Sequence, residues 1–247
     1  MSVHRFFAPS LDPGDETAVL PRDESQHLTR VLRLTTGDVV SVFDGRGHEF
    51  LAKVVGVERR AVHVQLLSRI EPAAEPAVAI TLVPAVLKGD KMDEIVRDAV
   101  MLGVAAVHPI ISARAETTVA NVVRGARLDR WRRVALASVK QSRRATLPDI
   151  RSPLRFSDFL DEPAAAMRLM LVEPGAVDAE SIGVLRSLPA PSDAAVLVGP
   201  EGGWTADECE SARARGVRLL TLGHRTLRAD AVPVAAVSVL QMLWNDL

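Results

Sequence analysis

Two glycine loops decide the fold of this chain. The first is Leu197-Val198-Gly199-Pro200-Glu201-Gly202-Gly203-Trp204, and the second is Leu222-Gly223-His224-Arg225-Thr226-Leu227-Arg228. Each loop follows a short apolar run, Ala194–Val198 or Val217–Leu222, and such a run predicts a buried β-strand. Parallel strands of an open α/β sheet carry ligands at their carboxyl ends, so both loops are expected at one sheet edge. Glycine there lets a ligand approach the backbone closely, and this edge is the candidate site.

The composition of the chain is that of an ordinary globular protein, with 247 residues, 48% hydrophobic content and a net charge of −1. The single cysteine, Cys209, leaves no intramolecular disulfide and no cysteine zinc site. The six histidines are scattered without metal-ligand spacing, so no metal is predicted. No apolar run has the length of a membrane span, and residues 1–7 lack the apolar core of a signal peptide. We therefore expect a cytoplasmic protein with no membrane partner.

The pattern of elements predicts two domains joined by a proline-punctuated linker. Residues 1–71 are mostly short strand-like runs, with a hairpin turn at Asp44–Gly47, and predict a small β-barrel. The linker is placed at 72–77. Within 78–247, strands and helices alternate, which predicts a parallel sheet. The expected strands are 78–84, 104–111, 168–172, 194–198 and 217–222, and the expected helices are 91–102, 128–142, 205–215 and 232–244.

Basic residues are concentrated locally although the net charge is close to zero. Nine lie between Arg124 and Arg151, opposed only by Asp129 and Asp149. A charged helix face is often simply solvated, and that interpretation stays open. A stripe of cations also fits phosphate contact, since screening confines each charge to about 8–10 Å. The predicted RNA-binding residues, drawn from both domains, are Arg5, Arg30, Arg33, Lys88, Lys91, Arg130, Arg133, Lys140, Arg143 and Arg144.

Five motifs in order resemble the ribosomal RNA small subunit methyltransferase E family of the SPOUT superfamily. They are His27–Arg33 with Gly37-Asp38, Lys88–Asp93 with Leu102–Val104, Gln141-Ser142 with Arg144, and the two glycine loops. The resemblance implies a PUA-like RNA-binding domain followed by a parallel sheet with a C-terminal trefoil knot. It further implies methylation of N3 of one uridine in the 16S rRNA of the 30S subunit, with S-adenosylmethionine as the methyl donor. A homodimer is implied too, and the apolar helix Val232–Trp244 fits a subunit interface.

The resemblance implies a set of cofactor-binding residues along three strand ends. They are Val172, Glu173, Leu197, Val198, Gly199, Pro200, Glu201, Gly202, Gly203, Leu222, Gly223, Arg225 and Leu227. Taken alone, Gly199–Gly203 also fits a plain strand-to-helix turn, in which Thr205 caps the next helix and Glu208 completes a capping box. The loop has neither a P-loop GK[ST] signature nor a G-x-G-x-x-G fingerprint.

Arg228 and Asp230 are the predicted catalytic residues. Methylation at N3 spreads negative charge onto the uracil O2 and O4, which a guanidinium stabilises with paired donors. A nearby carboxylate accepts the N3 proton or orients the arginine. The family commonly has glutamate where this chain has Asp230, which keeps the carboxylate but shortens its reach by one methylene. Two alternatives stay open, namely a non-catalytic rRNA-binding assembly protein and a SPOUT methyltransferase with a different RNA target.

Overall fold

The computed structural model describes residues 3–58 and 61–247. The chain divides into two units, Met1–Glu75 with Val139–Leu147 and Pro76–Ser138 with Pro148–Leu247. The division lies within the linker predicted at 72–77. The addition of Val139–Leu147 to the first unit is a departure from the expected domain of 1–71, because this segment hydrogen-bonds to the β-domain, for example from Leu147 N–H to the Gly45 carbonyl at 2.9 Å.

The first unit is built on a five-stranded sheet. Its strands are β1 Arg5–Phe7, β2 Thr17–Leu20, β3 Val39–Phe43, β4 Glu49–Val57 and β5 Val62–Ile70, hydrogen-bonded in the order β1-β3-β4-β5-β2. The β1–β3 pair is parallel and the other pairs are antiparallel. The hairpin expected at Asp44–Gly47 is confirmed, since it joins antiparallel β3 and β4. Gly45 has a φ of +79°, and a Cβ there would lie 2.8 Å from the Phe7 ring, so only glycine fits this turn.

A short helical segment lies between β2 and β3. Helix α1 spans Arg22–Gln26 and continues into a π-helical turn at His27–Val31. Leu28 in that turn is fully buried in the core of the unit, together with Phe6 and Val40. Arg30, Val31 and Arg33 face solvent. The turn and the residues directly after it therefore bury one apolar side chain and expose two arginines.

The second unit alternates strands and helices as the sequence predicts. Its elements in chain order are β6 Ala79–Pro84, α2 Lys91–Met101, β7 Ala106–Val107, β8 Ile110–Ile111, α3 Val119–Arg124, α4 Arg127–Ser142, β9 Asp149–Ile150, β10 Leu154–Arg155, α5 Phe156–Leu160, β11 Met167–Leu171, β12 Glu180–Ser181, a 3-10 helix Ile182–Ser187, β13 Asp193–Val198, α6 Ala206–Ala214, β14 Arg218–Thr221 and α7 Val232–Leu243. The last turn of α4, from Val139 onward, belongs to the first unit. The expected strand 104–111 is broken in two around His108-Pro109, because proline has no N–H for a sheet ladder. Helix α4 ends at Ser142, where Arg143 takes a φ of +64°.

A seven-stranded parallel sheet organises this unit in the order β12-β14-β11-β13-β6-β7-β9. Its central strands are apolar and fully buried, as Leu169, Val196 and Leu220 show, and such runs are typical of parallel sheets. Strand β11 pairs with both β13 and β14. The loops that follow these three strands therefore meet at one edge of the sheet.

Candidate functional site

The candidate site is a cavity of about 340 Å³ at the carboxyl edge of β11, β13 and β14. Its volume is within the range of small-molecule sites. The lining residues come from three strand ends, from α2 and from the start of α7: Lys91, Leu171, Val172, Glu173, Pro174, Val198, Gly199, Pro200, Glu201, Gly203, Trp204, Leu222, Arg225, Thr226, Leu227, Arg228, Ala229, Asp230 and Val232. Both glycine loops thus border one cavity, as the position of their strands predicts.

Three of the residues predicted to bind cofactor lie outside this lining. Leu197 is fully buried in the apolar core of the unit. Gly202 is exposed and lies against the side chain of Arg114. Gly223 has a φ of +82°, so it shapes the turn after β14. The other ten predicted positions line the cavity together with Arg228 and Asp230.

Trp204 is the most prominent lining residue that the sequence reasoning missed. Its indole Nε1 donates to the Leu171 carbonyl at 2.9 Å, and its ring lies 5.3 Å from that of Phe156. A Cβ at Gly199 would be 3.0 Å from the indole, so a larger residue there would require the ring to shift. The hydrogen bond joins the end of β11 to the loop after β13. The sequence signal that could have identified Trp204 is its position directly after two adjacent glycines.

The loop after β13 also caps helix α6. The Thr205 backbone N–H donates to Glu208 Oε2 at 2.9 Å, and the Glu208 N–H donates to Thr205 Oγ1 at 3.2 Å. This is a complete capping box. The strand-to-helix turn considered from sequence is therefore present, and the same loop borders the cavity.

Two ion pairs stand at the cavity. Lys91 Nζ lies 2.8 Å from Glu201 Oε1. Burial alone would raise the pKa of Glu201, but hydrogen bonds from Lys91 and from backbone N–H groups hold that pKa below its ordinary value. The Arg228 guanidinium binds Asp230 through two hydrogen bonds of 3.1 and 2.8 Å. That pairing lowers the pKa of Asp230, so the carboxylate is a weaker proton acceptor than a free aspartate.

Two of the predicted RNA-binding arginines are committed to contacts within the first unit. The Arg5 side chain is 11% exposed and pairs with Glu49 at 2.8 Å. Its guanidinium also donates to the carbonyls of Val139, Lys140 and Arg144. Arg144 is buried and donates to Glu75 Oε1 at 3.0 Å. Both cations are used inside the protein, which removes them from the candidate RNA surface.

Acids from distant parts of the sequence neutralise several of the remaining cations. Lys140 pairs with Glu24, and Lys88 pairs with Glu116. Arg130 contacts both Asp90, at 3.1 Å, and Asp93. The cations between Arg124 and Arg151 are therefore neutralised by more acids than Asp129 and Asp149, the two that accompany them in sequence. Among residues 3–58 and 61–247, four predicted RNA-binding cations are exposed and have no ion-pair partner: Arg30, Arg33, Arg133 and Arg143.

The described residues form neither a metal centre nor a membrane-spanning helix. Within the described part of the chain, no three His, Cys, Asp or Glu side chains are grouped so as to hold a metal ion. No helix among the described residues combines the length and apolarity needed to cross a membrane.

Comparison with known proteins gives consistent matches over almost the whole chain. Residues 74–241 match an RNA methyltransferase domain family, and residues 20–67 match an RNA methyltransferase PUA domain. Ribosomal RNA small subunit methyltransferase E of Synechocystis is 31% identical over 94% of this chain and 75% of its own length. The enzyme of that name from Aquifex aeolicus is 30% identical, covering 96% and 99% of the two chains. The crystal structure of the Neisseria gonorrhoeae enzyme bound to S-adenosyl methionine has a TM-score of 0.86 at 30% identity, covering 98% of each chain.

Proposed function

Because this chain belongs to the ribosomal RNA small subunit methyltransferase E family, we propose that it methylates N3 of a uridine in 16S rRNA with S-adenosylmethionine as donor. The observation that carries this proposal is the cavity bordered by both glycine loops at one sheet edge. A structural relative holds S-adenosyl methionine, which supports the same cofactor here. A cytoplasmic location and the 30S subunit as partner follow from this role.

The lining residues fit an adenosine-containing cofactor. Apolar side chains such as Val172, Leu222 and Leu227 offer surfaces for the base, and Gly199 and Gly203 leave backbone groups open to close approach. The cofactor supplies an electrophilic methyl group on a sulfonium. The three cations and three acids at the cavity offer partners for its carboxylate and ammonium ends: Lys91, Arg225, Arg228, Glu173, Glu201 and Asp230.

Arg228 and Asp230 are proposed to serve the methyl transfer as a pair. S-adenosylmethionine, when bound, would supply the methyl group to uridine N3 and leave as S-adenosylhomocysteine, and the N3 proton would pass to solvent. Negative charge develops on the uracil O2 and O4, where the Arg228 guanidinium stabilises it. The Arg228 side chain is 77% exposed, so it is accessible to a base. Asp230 holds the guanidinium through two hydrogen bonds, and its lowered pKa favours this positioning role over proton acceptance.

RNA contact is proposed at the exposed, unpaired arginines in the described chain. Arg30 and Arg33 flank the exposed Val31 in the first unit, which matches an RNA methyltransferase PUA domain. Arg133 and Arg143 are further candidates. The cations Lys88, Lys91, Arg130 and Lys140 each have a carboxylate partner, which weakens their attraction for phosphate. Phosphate contacts position the protein on RNA without specifying the base, so the uridine itself must be selected elsewhere.

A homodimer through α7 is part of the proposal. The helix buries Ala236, Val237 and Leu240 within its own unit, but Met242 is 65% exposed and Val239 is half-buried. This leaves an apolar face that a second copy would cover. In analytical sedimentation we expect the wild type to be a dimer and the Met242→Asp variant to be a monomer. A wild type that is monomeric at micromolar concentration contradicts the dimer.

A trefoil knot is likewise proposed for the second unit. The sheet order supports it, since β14 lies between β12 and β11, two strands that precede it in the chain. An experimental structure whose backbone trace simplifies to an unknotted line contradicts this part of the proposal.

The experiment that tests the function uses methyl-labelled S-adenosylmethionine and 30S subunits that lack the modification, followed by nucleoside analysis of the rRNA. Label in 3-methyluridine is expected, with Arg228→Ala strongly reduced and Arg186→Ala unchanged. Arg186 is an exposed arginine outside the cavity lining. Cofactor binding without transfer to 16S rRNA would indicate another RNA target. Neither binding nor transfer would indicate the non-catalytic assembly role.

A further inference from the structure

Arg114 lies on the loop between β8 and α3, outside the cavity lining. Its guanidinium Nη1 donates to the Gly202 carbonyl oxygen at 2.5 Å. Its aliphatic stem also packs on the same residue, because a Cβ at Gly202 would lie 3.4 Å from both Cβ and Cδ of Arg114. Arg114 therefore contacts the first glycine loop without itself lining the cavity.

The segment that carries Arg114 is itself anchored to the end of that loop. The backbone N–H of the preceding residue, Ala113, donates to Glu208 Oε1 at 2.8 Å. The other oxygen of Glu208 accepts from Thr205 in the capping box of α6. Glu208 is 7% exposed, so this anchor is sheltered from water. One buried carboxylate thus fixes both the segment before Arg114 and the helix start that follows the glycine loop.

The glycine loop is restrained at Glu201 by Lys91 and at Trp204 by the Leu171 carbonyl, and Arg114 adds a restraint between these points. Gly202 and Gly203 are adjacent, and Gly203 has a φ of +68°. One hydrogen bond closes the turn, from the Gly203 N–H to the Pro200 carbonyl at 2.9 Å. Glycine loses more conformational freedom on ordering than any other residue, so an unsupported loop would bear that cost when a ligand binds.

We propose that Arg114 is a positioning residue for cofactor binding, acting through the Gly202 carbonyl to hold the first glycine loop in its binding shape. This inference rests on the proposed S-adenosylmethionine site. The bond is charge-assisted and stronger than a neutral one. It restrains the loop before the cofactor arrives, and Arg114 acts through the loop because it does not line the cavity.

The test compares Arg114→Ala with Arg114→Lys and with Arg186→Ala as the matched control. Arg114 is exposed, so its alanine variant is expected to fold with an unchanged thermal midpoint in the absence of ligand. Calorimetric titration with S-adenosylmethionine is expected to show a Kd about tenfold higher for Arg114→Ala. The lysine variant, which keeps one charged donor, is expected to be intermediate. The control is expected to match the wild type.

Kinetics separate a positioning role from a general loss of structure. The KM for S-adenosylmethionine is expected to rise with Arg114→Ala while kcat at saturating cofactor stays within about twofold, since only binding is affected. An unchanged Kd in Arg114→Ala overturns the inference, and so does a raised Kd accompanied by an equal loss in the lysine variant and a lowered thermal midpoint. Absence of cofactor binding by the wild type would instead refute the proposed function.

Discussion

Replacement of Arg5 by alanine is expected to destabilise the first unit strongly, although Arg5 lies near the start of the chain. All five guanidinium N–H groups are engaged. Nε and Nη2 donate to the two oxygens of Glu49 at 2.9 and 2.8 Å. Nη1 donates to two carbonyls at the end of α4, at 3.0 and 2.8 Å, and Nη2 also donates to the Arg144 carbonyl at 2.8 Å.

The size of the effect follows from what Arg5→Ala leaves behind. The Glu49 side chain is 5% exposed, so its carboxylate stays buried without its cation, with Ser41 as its remaining partner in the structure. Breaking a buried ion pair by removing one partner costs about 3–5 kcal/mol. For a chain of this size, the thermal midpoint would then fall by on the order of 10 °C. The carbonyls at the end of α4 lose a capping cation as well.

Urea denaturation followed by circular dichroism measures this change, with Arg30→Ala as the control, since Arg30 is exposed. The control is expected within about 0.5 kcal/mol of the wild type. The double variant Arg5→Ala/Glu49→Ala is expected to recover part of the loss, because the orphaned carboxylate is gone. A loss below about 1 kcal/mol in Arg5→Ala, or no recovery in the double variant, refutes the argument.

Three further predictions follow from the site and the RNA surface. Gly199→Ala is expected to displace the Trp204 indole, which lies 3.0 Å from the new Cβ, to lower the free energy of unfolding by about 1–3 kcal/mol, and to weaken cofactor binding in calorimetry. Because the pKa of Asp230 is held below its ordinary 3.8 by Arg228, the carboxylate stays ionised between about pH 5 and 8, and the profile of kcat/KM against pH is expected to show no acid limb from this group. Arg30→Ala/Arg33→Ala is expected to reduce the slope of log K for RNA against log salt by about 1.5, as measured by filter binding.

Each of these predictions has an outcome that contradicts it. If Gly199→Ala kept wild-type stability and cofactor affinity, neither property would depend on the observed position of the Trp204 indole. An acid limb near neutral pH that disappears in Asp230→Asn would assign Asp230 the proton-accepting role. An unchanged salt slope in the double arginine variant would leave those two side chains as solvated surface.

The sequence predicted the strands and loops of the site because their signals are local. Apolar runs ending in glycine mark β13 and β14, and both loops do border the cavity. The hydrogen bond from Trp204 to the Leu171 carbonyl could not be predicted from the sequence, because it depends on β11 lying between β13 and β14. Strand order in a parallel sheet is set by crossovers, which leave no periodic pattern in the chain.

The functions of individual arginines were the least predictable feature. The sequence alone does not distinguish Arg5 and Arg144 from Arg30 and Arg33 as RNA-binding candidates. The first two are nevertheless paired with carboxylates and largely buried, and the last two are exposed. Glu49 and Glu75 are 44 and 69 residues away from their arginine partners. A guanidinium serves a buried pair or a phosphate equally well, so only the packing of distant segments decides between them.

The inclusion of Val139–Leu147 in the first unit sets an order of events during synthesis. The amino-terminal strands leave the ribosome long before the segment that supplies three carbonyl acceptors to Arg5. Until residue 147 has emerged, those N–H donors of Arg5 and the Gly45 carbonyl lack their hydrogen-bond partners. We therefore expect the nascent amino-terminal domain to remain only locally stable through the synthesis of the next seventy residues or so. A fragment of residues 1–75 expressed alone would lack the 139–147 segment and so would remain only locally stable.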